Sequence, residues 1–338
     1  MRILIVNVNW LGDVLLSTPA IRAIRKHFPE SYLACLVPPR CVAALKGNPY
    51  LDEVISADDR DSTASFLGSW KTIAHLRKRR FDRAIFFHRS ISKKWMAWLA
   101  GIPDRRGFEV PGKKRGLFLT QVYSPPRAGT HRADFFLELV KAQGIPTDGR
   151  EPDFFPSKTA EEDLKRLATA QGLDLEHPYA VLHPGGNWDL KRWPAGFFTQ
   201  WIQLFLKAYP SWTVVVCGTP GEQNIADEIM EKAVSARVVS LCGKTSLDVL
   251  AALLKKAKFL LSNDSGPIHL AAAEGTPLFG LFGPTSAAQT GPISKGPAFF
   301  FKKDVGCQVP CYFRSCDTRV CMEWLTPKEV FEQTKALA

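Results

Sequence analysis

Short apolar runs alternate with helical patterns along this chain, and the alternation starts again after a proline-punctuated break. Residues 3–8 form a continuous apolar strand, 17–27 a helix with apolar positions at Ala20, Ile21 and Ile24, and 32–37 a second strand. A short helix at 41–45 and strands at 54–55 and 84–87 follow. Strands that are apolar throughout are buried on both faces, and strands alternating with helices pair in parallel. The pattern therefore predicts an α/β, doubly wound parallel sheet. The second half repeats it, with strands at 180–182, 213–217, 238–241, 259–261 and 278–282 and helices at 197–208, 224–233, 246–257 and 267–273. Between the halves, Pro146, Pro152 and Pro156 interrupt all periodicity over 146–158, which predicts a linker with a hinge near residue 155. A chain of 338 residues is also the length expected of two domains. Such sheets bind ligands beyond the carboxyl ends of their strands. The expected site is thus a cleft between two domains, and functional motifs should sit just after strands.

Charge divides the chain in the same way. Residues 1–150 hold 25 Lys and Arg against 13 Asp and Glu, a net +12; the remainder holds 19 against 20, a net −1. The excess clusters at Arg77-Lys78-Arg79-Arg80, Arg105-Arg106 and Lys113-Lys114-Arg115. A solvated basic face is the plain reading, and an anionic partner for that half alone is the functional one. Aromatic residues do not interleave with these clusters and no nucleic-acid motif occurs, so nucleic acid is not the expected partner. A phosphorylated substrate or an anionic lipid surface fits. No apolar run approaches the roughly 20 residues needed to cross a bilayer. The first residues read as a buried strand, not a signal peptide, so a cytoplasmic protein is expected.

Three motifs follow strands. Gly12-Asp13 comes after the first; Asp13 reads either as a helix N-cap or as a general base at the strand's carboxyl end. His183-Pro184-Gly185-Gly186-Asn187 follows the strand at 180–182 and leads to Lys191-Arg192-Trp193-Pro194. Two glycines let a ligand touch backbone, and the cations suit phosphate oxygens; the alternative is a surface loop with Trp193 as a core plug. Asn263-Asp264-Ser265-Gly266-Pro267 ends a strand and opens a helix with exposed N–H groups, with His269 on its first turn. That is an anion site, or plain capping by Ser265. No G-x-G-x-x-G occurs, and Gly243-Lys244-Thr245 lacks the earlier glycine of a P-loop, position 238 being Val238. Cys307, Cys311, Cys316 and Cys321 fall within one short segment, which reads either as a structural metal site or as inert thiols.

Taken in order, these segments resemble the ADP-heptose:lipopolysaccharide heptosyltransferases, glycosyltransferase family 9. Phe282-Gly283-Pro284-Thr285 and the cysteine-rich stretch before Leu325-Thr326-Pro327 extend the resemblance over nearly the whole chain. The Asn-Asp-Ser-Gly form is more similar to the type II enzymes than to type I. The resemblance implies a GT-B fold of two Rossmann-like domains: residues 1–155 for the acceptor, 156–325 for the nucleotide sugar, and a terminal helix at 326–338 packing back on the first domain. It implies an inverting transfer of heptose from ADP-L-glycero-β-D-manno-heptose to the lipopolysaccharide inner core, with no cofactor and no catalytic metal. Asp13 falls on the family's acidic base and Lys191 on its phosphate-binding lysine. Gly185, Gly186, Asn187, Arg192, Asp264, Ser265, Gly266 and His269 fall on the donor site, and Glu222 on the ribose. Some members carry threonines where this chain has Gly186 and Asn187, so backbone N–H groups would replace hydroxyl contacts. Gly12, Arg105, Arg106, Lys113 and Lys114 are the expected acceptor contacts. The expected partners are ADP-heptose, a Kdo-containing lipid A-core acceptor and the anionic inner face of a Gram-negative inner membrane. The competing readings are another family 9 transferase (type I or III, or one using a different nucleotide sugar), a GT-B sugar epimerase, and a non-catalytic nucleotide-sugar or lipid-binding protein.

Overall fold

The computed structural model describes residues 1–57, 65–109, 116–311, 313 and 315–337, with 65–69 described by backbone alone. The chain forms two compact units, Met1–Phe155 and Pro156–Ala338. In the first, strands β1 (Arg2–Val6), β2 (Tyr32–Val37), β3 (Glu53–Ser56), β4 (Arg83–Phe86), β5 (Asp104–Phe108) and β6 (Gln121–Tyr123) pair in the order β3-β2-β1-β4-β5-β6, all parallel. Helices α1 (Leu11–Leu16), α2 (Thr18–His27), α3 (Ser65–Arg79), α4 (Ile91–Leu99) and α5 (Arg132–Lys141) accompany them. The central strands carry Leu4, Val6, Ala34, Leu36, Ala84 and Phe86 into one buried cluster that α3 and α4 cover.

The second unit has the same topology. Strands β7 (Tyr179–His183), β8 (Thr213–Val216), β9 (Val238–Ser240), β10 (Phe259–Asn263), β11 (Leu278–Leu281) and β12 (Ala298–Phe301) pair in the order β12-β11-β10-β7-β8-β9, again parallel. Its helices are α6 (Ala160–Ala170), α7 (Ala195–Ala208), α8 (Gln223–Ala233), α9 (Leu247–Lys256), α10 (Gly266–Glu274), α11 (Ala287–Thr290), α12 (Val320–Glu323) and α13 (Pro327–Thr334). Aromatic rings fill the core: Trp201 stacks on Phe205 at 4.7 Å, and both meet the edge of Phe259. The terminal helix, expected against the first unit, finds its partner in α7. The Trp201 indole N–H donates to Thr334 Oγ1 at 3.3 Å, and that of Trp193 to the Leu325 carbonyl at 2.8 Å. Trp193 is thereby the core plug that the sequence offered as one of two readings.

In each sheet the strand order reverses beside the first strand, between β1 and β4 and between β7 and β10. Loops leaving the carboxyl ends on either side of that reversal diverge and leave a crevice. The loops after β1, β7 and β10 carry the motifs found in the sequence.

The proline-rich stretch is tied down over its length. Arg22 on α2 is buried and gathers Asp148, at 3.1 Å, Asp153 and the Glu151 carbonyl, while the Asp153 N–H donates to Thr18 Oγ1. Burial opposes the charge of Arg22, but Asp148 and Asp153 outweigh it and raise its pKa. Removing one partner of a buried ion pair leaves the others uncompensated, at about 3 kcal/mol. Arg22→Ala should therefore speed hydrogen exchange in β1 and α2 and leave β7–β12 unchanged. Equal protection in the variant would mean that this network does not hold the segment.

Candidate functional site

In the second unit three loops meet at the reversal point. The loop after β7 runs through Pro184, Gly185 and Gly186 to a short 3-10 turn at Asp189–Lys191. Its path is set by Asn263, the fully buried last residue of β10. The Asn263 amide donates to the carbonyls of Pro184 at 2.7 Å and Gly185 at 3.1 Å, and its oxygen accepts the Trp193 N–H at 3.0 Å. Arg192 closes the loop on itself, donating to the Gly186 carbonyl at 2.8 Å and pairing with Asp189. Asn187, at the loop's tip, is exposed.

Glu222 enters from the loop after β8, at the end of a 3-10 turn with a Thr219 capping box. Its Oε1 accepts the Gly186 N–H at 2.6 Å; its Oε2 accepts the Thr219 N–H and hydroxyl and lies 3.6 Å from His183 Nε2. A Cβ on Gly185 would stand 1.9 Å from Glu222 Oε1, so any larger residue would displace the Glu222 carboxylate. Burial raises the Glu222 pKa, but His183 and the Thr219 donors overcome it and bring the carboxyl down to about 2. His183, itself buried, passes the chain onward: its Nδ1 lies 2.9 Å from Ser265 Oγ, which lies 3.2 Å from Ser262 Oγ.

Ser265 is the N-cap residue of α10, yet its hydroxyl makes no cap bond; it turns to His183 instead. Plain capping is thereby corrected. Pro267 supplies no N–H, and the remaining first-turn N–H groups lie at the positive end of the helix dipole without a side-chain cap. Beside them Lys191 Nζ donates to Asp264 Oδ2 at 2.9 Å, with side chains 20% and 5% exposed. Asp264 is therefore no bare carboxylate facing an anion: it fixes the lysine and leaves two of its three N–H donors free for phosphate oxygens. His269 is buried on the first turn of α10. The assembly brings Gly185, Gly186, Lys191, Arg192, Glu222, Asp264, Ser265, Gly266 and His269 to one end of one sheet. The sequence did not single out Asn263 or His183 as site residues, although both stand in the quoted motifs.

In the first unit Asp13 lies in the first turn of α1, whose N-cap is Trp10. The cap reading of Asp13 is thereby corrected: its carboxylate meets Arg132 of α5 at 3.2 Å. Gly12 precedes it on the same turn. Cations surround this end of the sheet. Lys93 donates to Asn9 Oδ1 at 2.9 Å, Arg40 lies over the Trp10 ring at 4.8 Å, and Arg89 over Phe135 at 4.6 Å. Burial and the neighbouring Arg132 lower the Arg89 pKa.

Other expected contacts are engaged elsewhere. Arg105 donates to the carbonyls of Phe118, Ile102 and Pro103, and Arg106 pairs with Asp104 at 2.9 Å. Both lie in the first half of β5, Arg105 holding the turn before β6 and Arg106 pairing within its own strand. Lys113 and Lys114, with Arg115, lie outside the described residues. Cys307, Cys311, Cys316 and Cys321 are all free thiols, and among the described residues no three metal-ligating side chains gather around one point. Cys321 is held against Gly283 on α12 and Cys311 by the Pro284 carbonyl, while Cys307 and Cys316 face solvent.

Two six-stranded doubly wound units in tandem, each with polar groups at its reversal point, are the make-up of a GT-B fold. The family model for glycosyltransferase family 9 (heptosyltransferase) matches residues 69–313, and the chain belongs to that family. It is 28% identical to lipopolysaccharide heptosyltransferase 2 of Escherichia coli K12 over 87% of this chain and 86% of that one. It is 26% identical to lipooligosaccharide heptosyltransferase 2 of Campylobacter jejuni over 100% and 98%. The solved structure of E. coli ADP-heptose LPS heptosyltransferase II superposes with a TM-score of 0.81 at 25% identity, covering 100% of this chain and 98% of that one.

The Glu222 arrangement has a pH signature. Its folded pKa lies below the ordinary 4.5, so its contribution is complete above about pH 4.5 and is lost as pH falls toward 2. The shift corresponds to roughly 3 kcal/mol. Urea unfolding between these pH values should show a steeper loss of stability for the native protein than for Glu222→Gln. Identical slopes would mean that the carboxylate is not held as described.

Proposed function

We propose that this glycosyltransferase moves heptose from ADP-L-glycero-β-D-manno-heptose to the first heptose of the lipopolysaccharide inner core, with inversion at the anomeric carbon. One observation carries the reading. The uncapped start of α10, the Lys191–Asp264 pair and the glycine loop form a preorganised diphosphate site in a chain similar over most of its length to heptosyltransferases 2.

On this reading the second unit holds the donor. The first-turn N–H groups of α10 and the free donors of Lys191 take the diphosphate, and Glu222 offers its remaining lone pair on Oε1 to a ribose hydroxyl. The acceptor hydroxyl attacks the anomeric carbon and gives its proton to Asp13. The bond from that carbon to the β-phosphate oxygen breaks, and ADP leaves with the electron pair. Negative charge grows on ADP as the sugar becomes oxocarbenium-like. Cations and dipoles fixed beforehand stabilise that charge without reorganising. Arg132 orients Asp13, and Lys191 with the first-turn N–H groups of α10 stabilises the diphosphate without a divalent ion. The net +12 of the first 150 residues supports an anionic acceptor, a Kdo-containing lipid A-core presented at the inner face of the membrane. No helix among the described residues is long and apolar enough to cross a membrane.

Mass-spectrometric detection of product from ADP-heptose and a panel of truncated acceptors tests the reading. UDP-N-acetylglucosamine run in parallel separates it from an epimerase. Asp13→Asn should keep ADP affinity and lower turnover about 10²–10⁴-fold; near-normal turnover would remove Asp13 as the base. Lys191→Ala should weaken ADP in calorimetry, whereas unchanged affinity would place the phosphate elsewhere. Transfer should also survive excess EDTA, and its loss with rescue by magnesium would overturn the metal-free mechanism.

A further inference from the structure

The cluster Arg77–Arg80 lies at the other end of the first sheet from Asp13. Arg2 opens β1 and Asp13 follows its carboxyl end, so at least the length of the strand, roughly 15 Å, separates them. At this amino end is an open depression of about 770 Å³, and its lining residues, Arg2, His75, Lys78, Arg79 and Arg80, are all basic.

Two of the five are locked. The Arg2 guanidinium lies 3.9 Å from the centre of the Tyr32 ring and its Nε donates to the Arg79 carbonyl at 2.6 Å. Arg79 is paired with Glu53 at 2.7 Å. The acidic groups here are thereby used: Glu53 by Arg79 and Tyr32, and Asp82 by the Arg2 backbone N–H at 2.6 Å. Lys78 and Arg80 have no carboxylate partner among the described residues. Basic residues at a helix C-terminus complement its dipole, which is the ordinary explanation. It does not cover Arg80. This residue follows α3 at φ +49°, in the left-handed conformation where glycine is the unstrained choice. A cation stands there against the local preference.

The exposed face of α3 continues the depression. Trp70, Lys71, Ala74, His75, Arg77 and Lys78 recur on it at helical spacing, while Ile73 and Leu76 are buried beneath. Trp70 is 45% exposed. An exposed tryptophan on a cationic helix face suits the boundary between headgroups and acyl chains, and a soluble anion has no use for it.

We infer that this depression and the outer face of α3 form a docking site for the phosphate headgroups of an anionic lipid surface, separate from the acceptor site at Asp13. The inference deepens the proposed membrane setting and rests on that part of the proposed function alone.

The test compares the full-length protein with Lys78→Gln/Arg80→Gly, whose glycine suits the positive φ and should not unfold the chain. Near an anionic surface each lysine or arginine contributes about fivefold in partitioning. Binding to phosphatidylglycerol vesicles should therefore fall about 25-fold in the double variant, and Trp70→Ala should weaken it as well. Transfer to a deacylated, water-soluble acceptor should be unchanged in all variants, which separates failure of docking from failure of the proposed reaction. Undiminished vesicle binding by the double variant would overturn the inference. So would equal binding to phosphatidylcholine vesicles, or displacement from anionic vesicles by millimolar inorganic phosphate at constant ionic strength, which would make the depression a site for free phosphate.

Discussion

One buried amide holds the second unit's site together. Asn263 ends β10, and its side chain satisfies three backbone groups of the loop after β7: two carbonyls and one N–H. A backbone group buried without a partner costs about 1–3 kcal/mol. The loop thus takes this path because β10 supplies a donor pair and an acceptor at one point. The closeness of Gly185 to Glu222, the reach of Lys191 to Asp264 and the grip of Arg192 on Gly186 all presuppose it. The tie joins the two strands that flank the reversal of the sheet, where the loops would otherwise diverge.

Around that tie the polar groups are partnered before any ligand arrives: Lys191 pairs with Asp264 and Arg192 with Asp189, and Glu222 lies beside His183. Pairing fixes each group in place and lowers the reorganisation left for the proposed transfer. Polar contacts also run from the Gly186 N–H through Glu222 and His183 to Ser265, linking the glycine loop to the start of α10. Ser265, occupied in this way, cannot cap that helix, and its N–H groups stay available. In the first unit the same logic appears on a smaller scale, with Asp13 held by Arg132 among several cations.

The central strands were legible because parallel strands buried on both faces must be apolar throughout, as 3–6, 33–37 and 259–261 are. β5, β6 and β12 lie at or next to sheet edges and were missed. β5 carries Asp104, Arg105 and Arg106, which read as surface charge although Arg105 fastens the turn before β6 and Arg106 pairs with Asp104. The motif positions were legible because glycines, a proline and charges after a strand have few other uses. The roles of Asn263, His183 and Ser265 were not, since their partners stand about 80 residues away in the chain. Asp13 looked like a cap because its local pattern suits one; the helix begins two residues earlier, and Arg132 lies 119 residues away. The 146–158 stretch looked loose for the same reason, its anchor being Arg22 on a distant helix.

The most direct measurement is ADP affinity by calorimetry in Asn263→Asp. This change keeps the side chain's shape and the acceptor for Trp193 but removes the donor to Pro184 and Gly185. If the Asn263 amide sets the loop proposed to hold the donor, affinity should fall about 5- to 150-fold while hydrogen exchange in the first unit stays as it was, since losing a buried bond costs about 1–3 kcal/mol. Native ADP affinity in the variant would show that the loop holds its shape without Asn263, and would contradict the dependence of the donor site on this one side chain.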